Sequence, residues 1–431
     1  MGGVFSNPSP SSPSANATGT TTGPTAVQKR DNEIIITGLG TEWPSKSITA
    51  DDFNKVVLGF YSEETDAPWF VSFNTWAACP CIISIITDVC LGRLQRLLRI
   101  NTRTGIETRS VIDLWGQSPW TPQDPPKAEE IDIAWRSYGV ELSRKAAQKA
   151  LSDSQIEANT ITHIVAVTTT NAGSPGYDQL VARELGIPST AERLLISGSG
   201  CAGGLAALRM ASNLVRSATC RGEPARVLVI ACEICSIYIN SELHAAATLK
   251  TDGIGPTLFA DGAAAMVVCN PDGMIQPKSQ ENLPRRFSVI DWRSIVTPGT
   301  LNEVEYKMSS TGLQIFISKN LPKLSSTSLL SPFQSLVTGN GMQNSPSTDF
   351  DWALHPGGLA IIKGAQAAMG LPDEALAASY DIYRNRGNTI SVAVIAVLDR
   401  LRTMEMRKQD VITTSFGPGL TTEMMLLKRW E

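Results

Sequence analysis

Arg193 to Ser217 reads RLLISGSGCAGGLAALRMASNLVRS, and this stretch decides the fold. Leu194–Ile196 is an apolar run of strand length. Gly198, Gly200, Gly203 and Gly204 then punctuate a turn, and an amphipathic helix follows. A strand that enters a helix through a glycine-rich turn belongs to an α/β layered protein, where ligands gather at the carboxyl ends of strands.

Two chemistries compete for the turn. Gly198-Ser199-Gly200-Cys201-Ala202-Gly203 matches G-x-G-x-x-G, the dinucleotide fingerprint. That reading needs an acid about 20 residues on, at the end of the next strand. The next strand is ARVLVIAC; Glu223 precedes it and Glu233 lies too far along. The other reading makes Cys201 a nucleophile at a helix N-terminus, where the dipole and free N–H groups lower a thiol pKa. Its small neighbours Gly200, Ala202, Gly203 and Gly204 would admit an acyl group and its carrier. A buried structural cysteine explains the residue equally well, so these two stay level, ahead of dinucleotide binding.

Outward from the turn, short apolar strands alternate with helices of ten or more residues. EIIITGLG, HIVAVTTT, ARVLVIAC, AAAMVVCN, DWALHP and DVITTSFGPG read as strands, and TISVAVIAVLDRLR as a second amphipathic helix. The 431 residues include 42% hydrophobic and 18% charged side chains, which excludes a mostly disordered, collagen-like or coiled-coil chain. A formal charge of -4 makes a poor generic nucleic-acid binder. Eight cysteines are too few for a disulfide scaffold, and His163, His244 and His355 leave little for a His-rich metal site. No cleavable secretory signal is evident, so the expected setting is cytoplasmic, with reduced thiols.

Two segments stand apart. Residues 1–32 are rich in Ser, Thr, Pro, Gly and Ala, carry no charge as far as Gln28, and read as a disordered tail. The opening Met1-Gly2-Gly3-Val4-Phe5-Ser6 fits the N-myristoylation pattern, although a plain flexible tail is the simpler reading. Ala67 to Thr87, APWFVSFNTWAACPCIISIIT, is uncharged and about as long as a bilayer span. Asn74 and Pro80 weigh against spanning, which leaves a lid, an anchor or a gene-model error; contact with a membrane stays open. Cys79-Pro80-Cys81 has no neighbouring metal partners.

Four further motifs carry chemistry. His355 ends a strand and is followed by Pro356-Gly357-Gly358. Arg386-Gly387-Asn388 opens a helix, where Asn388 would also serve as a plain N-cap. Thr414 to Thr421, TSFGPGLT, forces a turn that a simple hairpin would also need. Arg93, Arg96, Arg99 and Arg103 follow helical spacing opposite Leu94, Leu97 and Leu98, which suits either carrier phosphates or a solvated face.

Taken together, Gly200-Cys201-Ala202-Gly203-Gly204, LFADGAAAMVV, His355-Pro356-Gly357-Gly358, Gly387-Asn388 and Phe416-Gly417-Pro418-Gly419-Leu420-Thr421 resemble the type III polyketide synthases. These are the chalcone synthase-like branch of the thiolase-fold condensing enzymes. ITGLGTEWP and TGIETR look like the fungal members, and the resemblance runs from about Glu33 to Trp430. It implies a duplicated α-β-α-β-α fold with mixed sheets and buried central helices, its halves at 33–275 and 276–431.

The resemblance also implies a reaction: iterative decarboxylative condensation of malonyl-CoA onto a medium- or long-chain acyl-CoA held on Cys201. An alkylpyrone, alkylresorcinol or resorcylic acid would result. His355 would hold the thiol as thiolate, and His355 with Asn388 would stabilise the malonyl-derived enolate. No metal, nicotinamide or flavin is implied. Arg96, Arg99 and Arg103 would bind coenzyme A phosphates, and Phe259 would stand between tunnel and cavity. Thr169, Thr170, Tyr238, Gly255 and Ile390 would shape that cavity, while Ser415 replaces the usual glycine of the cyclisation loop. The loop Asn171 to Gly176 would reach a partner's cavity in a homodimer. Tyr238 and Ile390 are bulkier than the plant residues, which argues against a chalcone-type product. A single-round ketoacyl synthase III-like enzyme, a hydroxymethylglutaryl-CoA synthase-like relative and a catalytically silent thiolase-fold protein are the rivals.

Overall fold

Hydrogen bonding joins nine strands into one sheet, and its pattern repeats. The computed structural model describes residues 32–61, 94–114, 125–248, 253–275, 283–309, 312–405 and 408–430. The tail with Gly2, the segment 67–87 and Arg93 lie outside the described residues. Along the chain the nine strands are β1 (Ile35–Glu42), β2 (His163–Val167), β3 (Glu192–Ile196), β4 (Arg226–Glu233), β5 (Gly262–Cys269), β6 (Phe287–Val296), β7 (Asp351–Leu354), β8 (Asp410–Gly417) and β9 (Thr421–Arg429). Their spatial order is β7-β8-β9-β6-β1-β5-β4-β2-β3.

Outward from β1, strand β5 is antiparallel, β4 antiparallel to it, and β2 and β3 parallel. Outward from β6, strand β9 is antiparallel, β8 antiparallel to it, and β7 parallel. The second series reproduces the first with one strand fewer. The two meet through only two residue pairs, Ile35↔Ser288 and Ile36↔Phe287. Asn32–Glu431 forms one compact unit that holds both series.

Burial on both faces explains the apolar runs of the sequence. In β4, Leu228, Ile230 and Cys232 enter one core, while Val227, Val229 and Ala231 enter another. The first core packs under helix α1 (Ala128–Ser154). The second lies between the two sheet halves and contains α2 (Gly203–Arg221) and α3 (Ser391–Leu401). A third core joins Ile412, Met424 and Leu426 to outer helices through Phe333 and Ile362. Helix, sheet, central helices, sheet and helix follow in turn, which is the layering expected from the sequence.

Glycine sets the spacing of the central pair. A Cβ at Gly204 would stand 2.3 Å from the Ser391 carbonyl oxygen, so α2 and α3 touch backbone to backbone. Leu194–Ile196 forms the end of β3, as the sequence expects of a strand, at a sheet edge with Leu194 38% and Leu195 36% exposed.

Candidate functional site

Cys201 lies in a single 3₁₀ turn, Gly200–Ala202, that runs directly into α2. Gly200 has φ +52, and a Cβ there would meet the Pro418 ring at 2.6 Å. Only glycine takes up this backbone at so close an approach. A Cβ at Gly417 would likewise meet the Ser199 carbonyl at 2.4 Å. The Phe416–Gly419 loop is therefore laid on the turn.

The thiol is partly buried, and its Sγ lies 3.9 Å from the Tyr306 hydroxyl. The sequence reading expects the helix terminus to lower the thiol pKa, and here the outcome differs. Burial pushes it up to about 12; hydrogen bonds from Tyr306 and Asn388 draw it back, while the Glu233 charge opposes ionisation. Tyr306 belongs to the hairpin Val304–Ser309/Gly312–Ile317, and nothing in its local sequence marks it.

His355 follows β7, and its N–H donates to the Thr414 carbonyl at 2.8 Å, across the parallel β7–β8 pair. Neither ring nitrogen has a hydrogen-bond partner among the described residues. Burial lowers its pKa to about 3, so the resting ring is neutral. Burial thus acts against the thiolate that the resemblance implies, raising the thiol pKa and lowering that of the ring.

Asn388 links the two. Its Oδ1 accepts from the Ile390 N–H at 2.9 Å, which fixes the amide orientation. Its Nδ2 donates to the Gly357 carbonyl at 3.1 Å, beside His355. The backbone N–H of Asn388 donates to the Leu258 carbonyl, and its own carbonyl accepts from Ala260, so Phe259 is clamped between them. Ile390, β-branched and buried, adopts φ 50, a strained backbone that this turn imposes.

Thr170, Tyr238, Gly255 and Phe259 line one narrow pocket together with Leu313 and Glu242. Ile390 packs into the same apolar cluster, against which Cys201 and Tyr306 also rest. Thr169 and Ser415 are not among the pocket's lining residues. Thr169 is held through its N–H by Glu233, and Ser415 is buried in β8 with its hydroxyl unpartnered among the described residues.

Glu233, set aside in the sequence as a misplaced ribose ligand, organises the strand end. Its carboxyl accepts from the Thr169 and Thr170 N–H groups and from the hydroxyls of Thr170 at 2.9 Å and Ser391 at 2.5 Å. Burial raises its pKa to about 7 against those bonds.

Residues 94–101 are helical, with Leu94 and Leu97 buried and Arg96, Arg99 and Arg103 exposed, as the amphipathic spacing requires. Arg109 ties this helix to the pocket: its guanidinium donates to the Pro256 carbonyl and to Asn101 Oδ1 and lies over the Phe53 ring. The loop Asn171–Gly176 lies beside exposed β3; a Cβ at Gly176 would meet Leu195 at 2.7 Å. Among the described residues no group of metal-binding side chains occurs, and no helix is long and apolar enough to cross a membrane.

Comparison with known proteins adds a lineage to this geometry. Residues 127–271 match the N-terminal domain of chalcone and stilbene synthases, and 292–430 the C-terminal domain. Type III polyketide synthase pspB of Penicillium soppii is 34% identical over 415 residues, covering 92% of this chain and 96% of that protein. Acylalkylpyrone synthase csyB of Aspergillus oryzae is 33% identical over 345 residues, 78% of this chain and 86% of that one. A type III pentaketide synthase structure from Neurospora crassa superposes with TM-score 0.80 at 33% identity, covering 92% and 100% of the two chains. CsyB complexed with CoA-SH gives the same TM-score and coverage at 28% identity.

Proposed function

The chain belongs to the chalcone and stilbene synthase family and is a type III polyketide synthase, an acyltransferase, and from that premise we propose that it extends a medium- or long-chain acyl-CoA with malonyl-CoA through a thioester on Cys201. The observation that carries the proposal is Asn388, whose Nδ2 donates to the Gly357 carbonyl in the turn after His355 and whose backbone clamps Phe259 at the pocket. His355 accepts the thiol proton as sulfur attacks the acyl carbonyl, and returns it to the departing coenzyme A thiol. Malonyl-CoA then loses carbon dioxide, and N–H groups of His355 and Asn388 hold the enolate oxygen. The enolate carbon attacks the acyl carbonyl, the C–S bond to Cys201 breaks, and the sulfur leaves as a thiolate that takes from water, by way of His355, the one proton that decarboxylative condensation consumes.

In this reading Arg96, Arg99 and Arg103 hold the coenzyme A phosphates, and Phe259 separates their tunnel from the chamber. Coenzyme A thioesters supply all the chemistry, without a resident cofactor. The apolar side chains Ile239, Leu313 and Ile315 along the narrow pocket favour an alkyl starter, and an alkylpyrone, alkylresorcinol or resorcylic acid product belongs to the same reading. The reading extends to a homodimer whose second copy covers Leu194 and Leu195.

Supplying a long-chain acyl-CoA with labelled malonyl-CoA, and counting labelled units per product by mass spectrometry, tests the proposal. Two or more units in a cyclised product is the expected result, from a particle of two chains by light scattering. A single unit per product would replace iterative extension with one-round ketoacyl synthesis.

A further inference from the structure

One group in the chamber wall takes no part in this chemistry. Glu242 lies in the helix Ile239–Thr248, buried, and lines the pocket with Thr170, Tyr238 and Phe259. Its Oε2 has no hydrogen-bond partner among the described residues. A Cβ at Gly255 would stand 2.4 Å from Oε2 and 2.7 Å from Oε1. Glycine at that position is what gives the carboxyl its room.

Burial raises the Glu242 pKa to about 8, so at neutral pH the wall presents mainly a carboxylic acid, with one O–H donor and free acceptor sites. An unpaired buried carboxyl costs folding free energy, and groups kept at that cost need an explanation. Cys235 ties the place to the reacting thiol: it lines the same pocket, and charge on either Glu242 or Cys201 would oppose its ionisation.

We propose that Glu242 is a specificity-determining residue whose carboxyl hydrogen-bonds an oxygen of the β-keto chain in this pocket and so sets how far the chain extends before it cyclises. The inference rests on the acyl thioester at Cys201 proposed above. An alkyl starter offers the carboxyl nothing, whereas each malonyl unit adds an oxygen on alternate carbons. The residue therefore distinguishes the extended part of the chain from the starter.

The test compares wild type, Glu242→Leu and Glu242→Gln with a long-chain acyl-CoA and malonyl-CoA. It records acyl loading of Cys201 by intact mass, the ratio of longest to truncated product, and the melting temperature. Leucine replaces an unpaired carboxyl with apolar bulk, so the variant is expected to melt no lower than wild type. It should load within about twofold of wild type and shift the product ratio by about fivefold or more, the worth of one hydrogen bond. Glutamine keeps a donor and an acceptor and should hold the ratio within about twofold. Should the leucine variant melt lower, Glu242→Met is the second apolar replacement, with the same expected shift. An apolar variant that loads normally and keeps the wild-type ratio would overturn the inference. So would a glutamine variant that shifts as far as leucine. Failure of wild type itself to load would instead overturn the reading of Cys201, and this inference with it.

Discussion

His355→Gln is expected to lower product formation by on the order of 10²–10⁴-fold, the usual contribution of a positioned general base. The side chain is buried with both ring nitrogens open, and its pKa near 3 keeps it neutral and ready to accept a proton. The thiol beside Asn388 is itself protonated, held near 12 by burial, so acylation needs a base at hand. Glutamine fills the volume and offers N–H donors but takes up no proton. Asn388→Ala separates the two halves of the reaction. It should leave acyl loading of Cys201 largely intact and slow malonyl-CoA decarboxylation about 10²–10³-fold, the worth of one oxyanion donor. Release of labelled carbon dioxide, measured beside loading, reads both. Decarboxylation at the wild-type rate in both variants would remove these residues from the enolate step.

Gly204→Ala is expected to destabilise the fold by about 3 kcal/mol or more, at the upper end of overpacking costs. The added methyl would stand 2.3 Å from the Ser391 carbonyl oxygen and 2.9 Å from Val394. Backbone meets backbone there, so no flexible side chain can yield. The damage would reach the site, because the Ser391 hydroxyl bonds Glu233, which anchors Thr169 and Thr170. Thermal unfolding should show a melting temperature lower by about 3 °C or more, with activity falling in the surviving folded fraction. A variant of wild-type stability would mean that α2 and α3 are free to separate.

The layered fold was legible because strands buried on both faces leave continuous apolar runs, as in ARVLVIAC and AAAMVVCN. The turn carrying Cys201, the strand end before His355 and the turn at Asn388 were legible because each needs glycine or a sharp break beside it. That β3 lies at a sheet edge was not legible, since Leu194 and Leu195 look the same in sequence whether that edge is covered or open. Tyr306 and Glu242 were invisible for another reason. Each arrives from a segment without a motif, and only the folded packing brings it to the pocket wall or the thiol. The thiol pKa was misjudged because the helix terminus acts locally and burial is a tertiary property.

Intact mass of the purified protein after exposure to a long-chain acyl-CoA, with wild type beside Cys201→Ala, goes straight to the covalent step. Wild type is expected to gain the mass of one acyl group, and the alanine variant none. A folded wild-type protein that gains no acyl group, or an alanine variant that gains the same one, would contradict Cys201 as the acyl carrier.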